Sequence, residues 1–170
     1  LLAINLYSYV VNPFKPDAYF DFDLFKKHVA LAQRIMDDII DLELEKIERI
    51  MAKIDSDPEN EDVKHTESVL WQKIYKKSGQ GRRTGVGITA EGDMLAALGL
   101  RYGTEEATEF AEKVHQTVAL SAYRSSVEMA KERGAFEVYD SEREKNNPFI
   151  NRLREADPEL YEEMKKYGRR

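Results

Sequence analysis

Glu112 and His115 stand three residues apart in Glu-Lys-Val-His, the spacing at which a helix presents a carboxylate and an imidazole on one face. Di-iron helical bundles hold their metals with two such pairs and two further glutamates. This sequence has no second pair; Asp62 and His65, beside an acidic stretch, are the nearest imitation. A solvated or interface His115 is therefore expected, and a di-iron bundle stands only as an alternative. His28 follows two lysines and has no partner at ligand spacing, so it reads as structural.

Gly79, Gly81, Gly85 and Gly87 form the second constellation. Three residues separate Gly81 from Gly85, and the glycines precede a predicted strand, so the dinucleotide fingerprint fails on spacing and on order. A Walker A loop fails for want of Gly-Lys-Ser/Thr. A turn into a strand that a neighbour approaches closely is the favoured reading. Arg82 and Arg83 could hold a phosphate or carboxylate, although two adjacent arginines are a weak signal. Glu91 follows the strand and opens a helix, where capping is the simpler role and action on a substrate the other. No Ser/His/Asp triad or paired carboxylates emerge, and with no cysteine there is no disulfide, thiolate metal site or thiol chemistry in these residues.

The elements that must position these groups are mostly helical. Leu1 to Val11 mixes β-branched and aromatic residues without a 3.6-residue period and predicts a strand buried on both faces, ended by Asn12-Pro13. A long helix is expected from an N-cap at Asp23 to about Ile54, with Leu24, Leu31, Ile35 and Ile39 on its inner side and a break near 41–45. "DSDPENE" (55–61) reads as a solvated linker, followed by a helix from about Val63 to Lys77 that carries the single tryptophan. Thr84 to Thr89 predicts a second buried strand and Gly92 to Leu100 a short helix. Thr104 caps a long helix with Phe110, Val114, Val118, Ala122 and Met129 inward, while small Ser121, Ala122, Ser125 and Ser126 let another element come close; Gly134 ends it. The tail is polar, with a helix over about 158–167.

Net charge is −6 with both signs interspersed and 34% of residues charged, which argues against broad binding to nucleic acid or to an anionic membrane surface. No apolar run is long enough to span a bilayer, and the opening lacks a basic n-region. A soluble cytoplasmic protein is expected, of α/β class and predominantly helical.

"GRRTGVGITAEGDMLAALGLRYGTEEA" (81–107) closely resembles a stretch of the large, catalytic subunit of ribonucleotide reductases, most of all the adenosylcobalamin-dependent class. "AYRSSVEMAKERGAF" (122–136) resembles the same family's helix ending in Glu-Arg-Gly and an aromatic. "LLAINLYSYV" (1–10) is similar to the barrel strand after one of its redox cysteines, and "KIDSDPENEDVKHTESVLWQKI" (53–74) to the cobalamin-dependent branch. The resemblance implies that residues 1–170 are one segment of a ten-stranded α/β barrel, built of two parallel five-stranded halves around a central finger loop and incomplete at both ends. Leu1 to Val11 and Thr84 to Ala90 would be barrel strands, with the long helices outside.

In the family the radical-bearing cysteine lies upstream, a cysteine of the reducing pair immediately before Leu1, and a Pro-Thr-Gly phosphate loop after "YGRR". None is present here, so no catalytic, cofactor-binding or metal residue is assigned. Asn5, Arg82, Arg83, Gly85, Gly87 and Glu91 are expected inside the barrel or near substrate. Adenosylcobalamin is implied for the parent enzyme and not for these residues alone, which are expected to be catalytically silent. The implied partners are the rest of the barrel and a ribonucleoside di- or triphosphate, with homodimerisation open and no nucleic-acid or membrane partner. A non-catalytic helical interaction module is the other reading.

Overall fold

A computed structural model describes all residues from Leu1 to Arg170. The chain is about 70% helical, which bears out a predominantly helical α/β chain. The element order is β1 (Leu2–Asn5), a 3-10 turn (Leu6–Tyr9), β2 (Val10–Val11), β3 (Tyr19–Phe20), α1 (Phe22–Ser56), α2 (Glu61–Gly81), β4 (Val86–Thr89), α3 (Glu91–Ala97), α4 (Glu105–Arg133), α5 (Ser141–Glu144), α6 (Pro148–Ala156) and α7 (Pro158–Tyr167). β1 and β4 pair in parallel, Leu2 with Val86 through Asn5 with Thr89, and β2 and β3 form a small antiparallel pair. The two sheets close no barrel. No helix is long and apolar enough to cross a membrane.

The expected strand over Leu1 to Val11 is cut after four residues. Asn5 Oδ1 accepts a hydrogen bond from the Tyr7 amide at 3.0 Å and caps the 3-10 turn, the competition with strand pairing that short polar side chains offer. Burial on both faces is corrected too. Leu2, Ile4, Val86 and Ile88 are buried or partly buried, whereas Ala3, Asn5, Gly87 and Thr89 are exposed. The inward residues join α1, α3 and α4 in a core that includes Leu6, Tyr9, Phe20, Phe25, Val29, Met94 and Val114.

α1 starts two residues earlier than expected: Asp21 is the N-cap, its Oδ1 accepting from the Leu24 amide at 2.9 Å. The helix runs unbroken through 41–45, and its inner face is not the expected one. Phe25, Val29, Ala32, Met36 and Ile40 are buried, while Leu24, Leu31, Ile35 and Ile39 are 40–53% exposed. Four pairs of neighbours, Leu24/Phe25, Leu31/Ala32, Ile35/Met36 and Ile39/Ile40, therefore split between two stripes about 100° apart. Both stripes satisfy the 3.6-residue period, and the aromatic cage around Phe25 decides between them. Its ring centroid lies 4.9 Å from that of Tyr9 and 5.1 Å from that of Phe20.

α4 follows expectation. Thr104 Oγ1 accepts from the Ala107 amide, Gly134 ends the helix at φ +85°, and Val114 and Met129 are fully buried. Its small residues admit α1, and Ser125 Oγ donates to the Ala30 carbonyl at 2.7 Å. Farther along, Val127 packs with Ile150 and Leu153 of α6 and Leu160 and Met164 of α7 in a second apolar cluster; the sequence reading had missed α6.

Beyond Asp41, α1 and α2 form a helical hairpin that buries little. α2 has no buried residue, and only Ile47 and Ile54 are buried in that half of α1. A hairpin with so few buried apolar contacts opens locally at low cost. Amide hydrogen exchange should therefore be at least about tenfold faster in 61–74 than in 114–130, a difference of roughly 1.4 kcal/mol in opening free energy. Equal protection would contradict this.

Candidate functional site

The parallel register puts Asn5 and Thr89 level at the C-terminal end of the strand pair, with Ala90 and Glu91 next. In parallel α/β sheets the strand C-termini are where sites are built. Here Asn5, Tyr7, Phe14, Ala90, Asp93 and Ala96 line a cavity of about 320 Å³. Two of these residues carry left-handed backbone, Phe14 at φ +61° and Ala90 at φ +61°. Such strain costs about 1–2 kcal/mol per residue and collects at functional sites. Glu91 starts α3 and stands 3.4 Å from His115 Nε2. His115 thus meets a single carboxylate, short of the four carboxylates and two histidines of a di-iron bundle.

The exposed face of the pair is lined by small and polar residues. Alternation puts Ala3 and Asn5 of β1 beside Gly87 and Thr89 of β4, and Gly85 falls in the same phase. A Cβ on Gly87 would meet only the Leu2 carbonyl, at 3.7 Å, an ordinary contact. Nothing within these residues requires glycine there. At Gly85 an added Cβ would lie 2.6 Å from Leu1 Cδ2, the movable end of an exposed side chain.

Arg82, Arg83 and Gly85 sit at the opposite, N-terminal end of β4, away from Asn5 and Glu91. Arg82 ends α2 in a left-handed conformation, φ +41° and ψ +50°, and points its guanidinium inward. Nε donates to Asp37 Oδ1 at 2.7 Å, Nη1 to Asp41 Oδ1 at 2.7 Å and Nη2 to the Asp37 carbonyl at 2.9 Å. Asp37, fully buried on α1, also accepts from Arg170 Nε at 2.7 Å and Arg133 Nη1 at 3.3 Å, while Arg133 pairs with Asp38 at 2.6 Å. Burial alone would raise the Asp37 carboxyl, but the hydrogen bonds and charges of Arg82 and Arg170 outweigh it and hold it below the usual range. Burial likewise lowers Arg82, and its bonds to Asp41 and Asp37 outweigh that.

Asp37, Asp38 and Asp41 cluster tightly enough to suggest a cation site. Three guanidiniums already supply the countercharge, so the cluster is an ion-pair network. Sequence reasoning missed Asp37. Its signal was a carboxylate bordering a buried stripe, next to Met36, because a charge there demands a partner.

Arg83 is exposed and joins none of the ion pairs. It lies on the rim of a cavity of about 880 Å³ between β4 and α4 that Arg82, Thr84, Val86, Val118 and Ala122 also line. Arg169 reaches that cavity too, paired with Glu144 and stacked over Tyr123, Phe136 and Tyr139.

Comparison with known proteins gives the family. The family model described as "Ribonucleotide reductase, barrel domain" matches residues 1–170. A vitamin B12-dependent ribonucleoside-diphosphate reductase of Thermoplasma acidophilum is 31% identical over 144 residues, 84% of this chain and 15% of the relative. One of the same name from Mycobacterium tuberculosis is 26% identical over 141 residues, 83% of this chain and 17% of the relative. The ribonucleoside-diphosphate reductase subunit alpha of Chlamydia pneumoniae is 26% identical over 137 residues, 81% of this chain and 10% of the relative. The chain thus spans less than a fifth of the length of these relatives. The match over its whole length shows the family: this chain belongs to the ribonucleotide reductase barrel-domain family.

Proposed function

We propose that residues 1–170 are one continuous segment of the catalytic barrel of a cobalamin-dependent ribonucleotide reductase, supplying two neighbouring strands and their outer helices. The observation that carries this reading is the open face of the β1–β4 pair. A two-stranded parallel sheet covered on one side only is rare, because parallel sheets are buried on both faces. Both outer edges of the pair lack a partner strand, and unpaired edges invite another strand. The cavity between β4 and α4 leaves room for one. In a ten-stranded barrel Ala3, Asn5, Gly85, Gly87 and Thr89 would face the interior, with the C-terminal cavity at Asn5 and Asp93 toward the nucleotide.

The reaction of the parent would be reduction of the ribonucleotide 2′-hydroxyl. A thiyl radical takes the 3′ hydrogen, the 2′-hydroxyl is protonated and leaves as water, a pair of cysteine thiols supplies two electrons and the hydrogen at C2′ as it becomes a disulfide, and return of the 3′ hydrogen restores the thiyl radical. This chain contains no thiol, so that chemistry belongs to other segments of the protein. Two of its histidines are engaged within the segment, His28 with the Tyr9 hydroxyl at 3.0 Å and His115 with Glu91. The contribution of this segment is placement. It would hold an uncrowded wall beside the reacting groups, with Asn5 at the C-terminal cavity and Glu91 next to it at the start of α3 as the candidates to bond a ribose or base.

Gly87→Val in the full-length protein tests the reading. The new Cβ makes only an ordinary contact with the Leu2 carbonyl, at 3.7 Å, and valine raises strand propensity, so thermal stability should hold to within about 1 kcal/mol. Ribonucleotide reduction should fall at least about a hundredfold in kcat/KM, since small displacements beside the reacting atoms cost that much. Unchanged activity would mean that this face does not line the catalytic interior.

A further inference from the structure

We infer that Asp37 is a positioning residue of the reductase: one carboxylate that sets the level at which β4 begins relative to the chain at Arg170. The inference rests on the barrel reading above, in which β4 is a strand of the catalytic barrel.

Two guanidiniums reach Asp37 from places where the chain has just left a helix. Arg82 is the residue after α2, and four positions later β4 begins. Arg170 lies three positions beyond the end of α7. Each gives Asp37 a hydrogen bond of 2.7 Å, Arg82 to Oδ1 and Arg170 to Oδ2. The backbone at Arg170 is fixed as well: its amide donates to the Ser126 carbonyl, and Ser126 Oγ donates to the Arg170 carbonyl. Both chain segments are thereby referred to one point on α1, which packs against β1 and β4.

Apolar side chains of the same volume would stabilise such a place as well or better. A planar guanidinium that donates to several acceptors at once adds a set distance and direction: Arg82 holds Asp37 Oδ1, the Asp37 carbonyl and Asp41, and Arg170 holds Asp37 Oδ2 and the carbonyls of Arg133 and Gly134. The distance matters because a slip of one residue in β4 would turn Val86 and Ile88 to the open face and Gly87 and Thr89 to the core. The cluster is balanced, three carboxylates against three arginines, so the register is held without a buried net charge.

The test uses the full-length reductase with Asp37→Asn, and with Arg170→Lys as the milder second variant. Activity is normalised to folded protein, and hydrogen exchange is read at Val86–Thr89. Asp37→Asn should lower kcat/KM per folded molecule by about a hundredfold and speed exchange at Val86–Thr89 at least tenfold, with 114–127 unchanged. Arg170→Lys keeps the charge and loses the planar donor set that spans Asp37 and the carbonyls of Arg133 and Gly134, and should show the same pattern with smaller changes. Kinetics per folded molecule and β4 exchange both equal to wild type would mean that the cluster only stabilises, and the inference falls. If the wild-type protein reduces no ribonucleotide, the barrel-enzyme reading falls instead. The exchange data then still decide whether Asp37 sets β4: a loss of protection confined to Val86–Thr89 supports it, and unchanged protection overturns it. Should Asp37→Asn not fold, Arg170→Lys alone decides by the same two readouts.

Discussion

Replacing Asp37 by alanine is expected to destabilise the fold by about 3–5 kcal/mol, the range for breaking a buried ion pair from one side. The carboxylate is 1% exposed. Its loss leaves Arg82, which is 6% exposed, with Asp41 and the backbone carbonyl of residue 37 but nothing for Nε, and leaves Arg170 with only the carbonyls of Arg133 and Gly134 as acceptors. Chemical denaturation monitored by circular dichroism measures the change directly. A loss below about 1 kcal/mol would show that solvent already screens the cluster. The pH dependence follows from the sign of the shift. The folded-state carboxyl is held below its ordinary value, so its contribution is complete above about pH 4, the unfolded value, and is lost as pH falls through the lower folded one. Between pH 5 and 8 the difference between wild type and Asp37→Ala should therefore stay constant, and it should shrink in stronger acid.

Phe25→Ala is the second large effect, about 3–5 kcal/mol for a fully buried phenylalanine. Phe25 is 0% exposed and joins α1 to Tyr9 and Phe20, the residues that frame the β2–β3 pair. With two residues per strand, that pair cannot stand alone, and the ring holds it in place. Leu31→Ser, on the exposed stripe of the same helix, should change the stability of this chain by less than about 0.5 kcal/mol. Equal losses at the two positions would contradict the assignment of the inner face.

The comparison of the two stripes shows where sequence reading stops. Leu24, Leu31, Ile35 and Ile39 have the period of a buried face as clearly as Phe25, Val29, Ala32, Met36 and Ile40 do. Periodicity finds a helix and leaves its rotation open when two apolar stripes adjoin. Aromatic residues outside the helix, Tyr9 and Phe20, settle the rotation. α4 was legible because local chemistry marks it: Thr104 at one end, Gly134 at the other, and small residues where α1 crosses.

The strand over 1–11 was half legible. Composition indicates a strand, and the cut after Asn5 depends on a side chain competing for the Tyr7 amide. Among the candidate site residues, Asn5, Gly85 and Gly87 share the open face and Glu91 follows at its C-terminal end, whereas Arg82 turns inward to Asp37 and Asp41. Two adjacent arginines in a sequence look alike. One is the left-handed end of a helix pointed into a buried carboxylate, and the other stays exposed at a cavity rim. Only the fold separates them.

The measurement that bears most directly on the central claim is a ribonucleotide reduction assay on the full-length protein and on residues 1–170 in parallel, with ribonucleoside diphosphate, adenosylcobalamin and a dithiol reductant. The account predicts deoxyribonucleotide from the full-length protein, dependent on the cobalamin, and none from residues 1–170. Saturable reduction by residues 1–170 alone, or none by the full-length protein under conditions where it is folded, would contradict it.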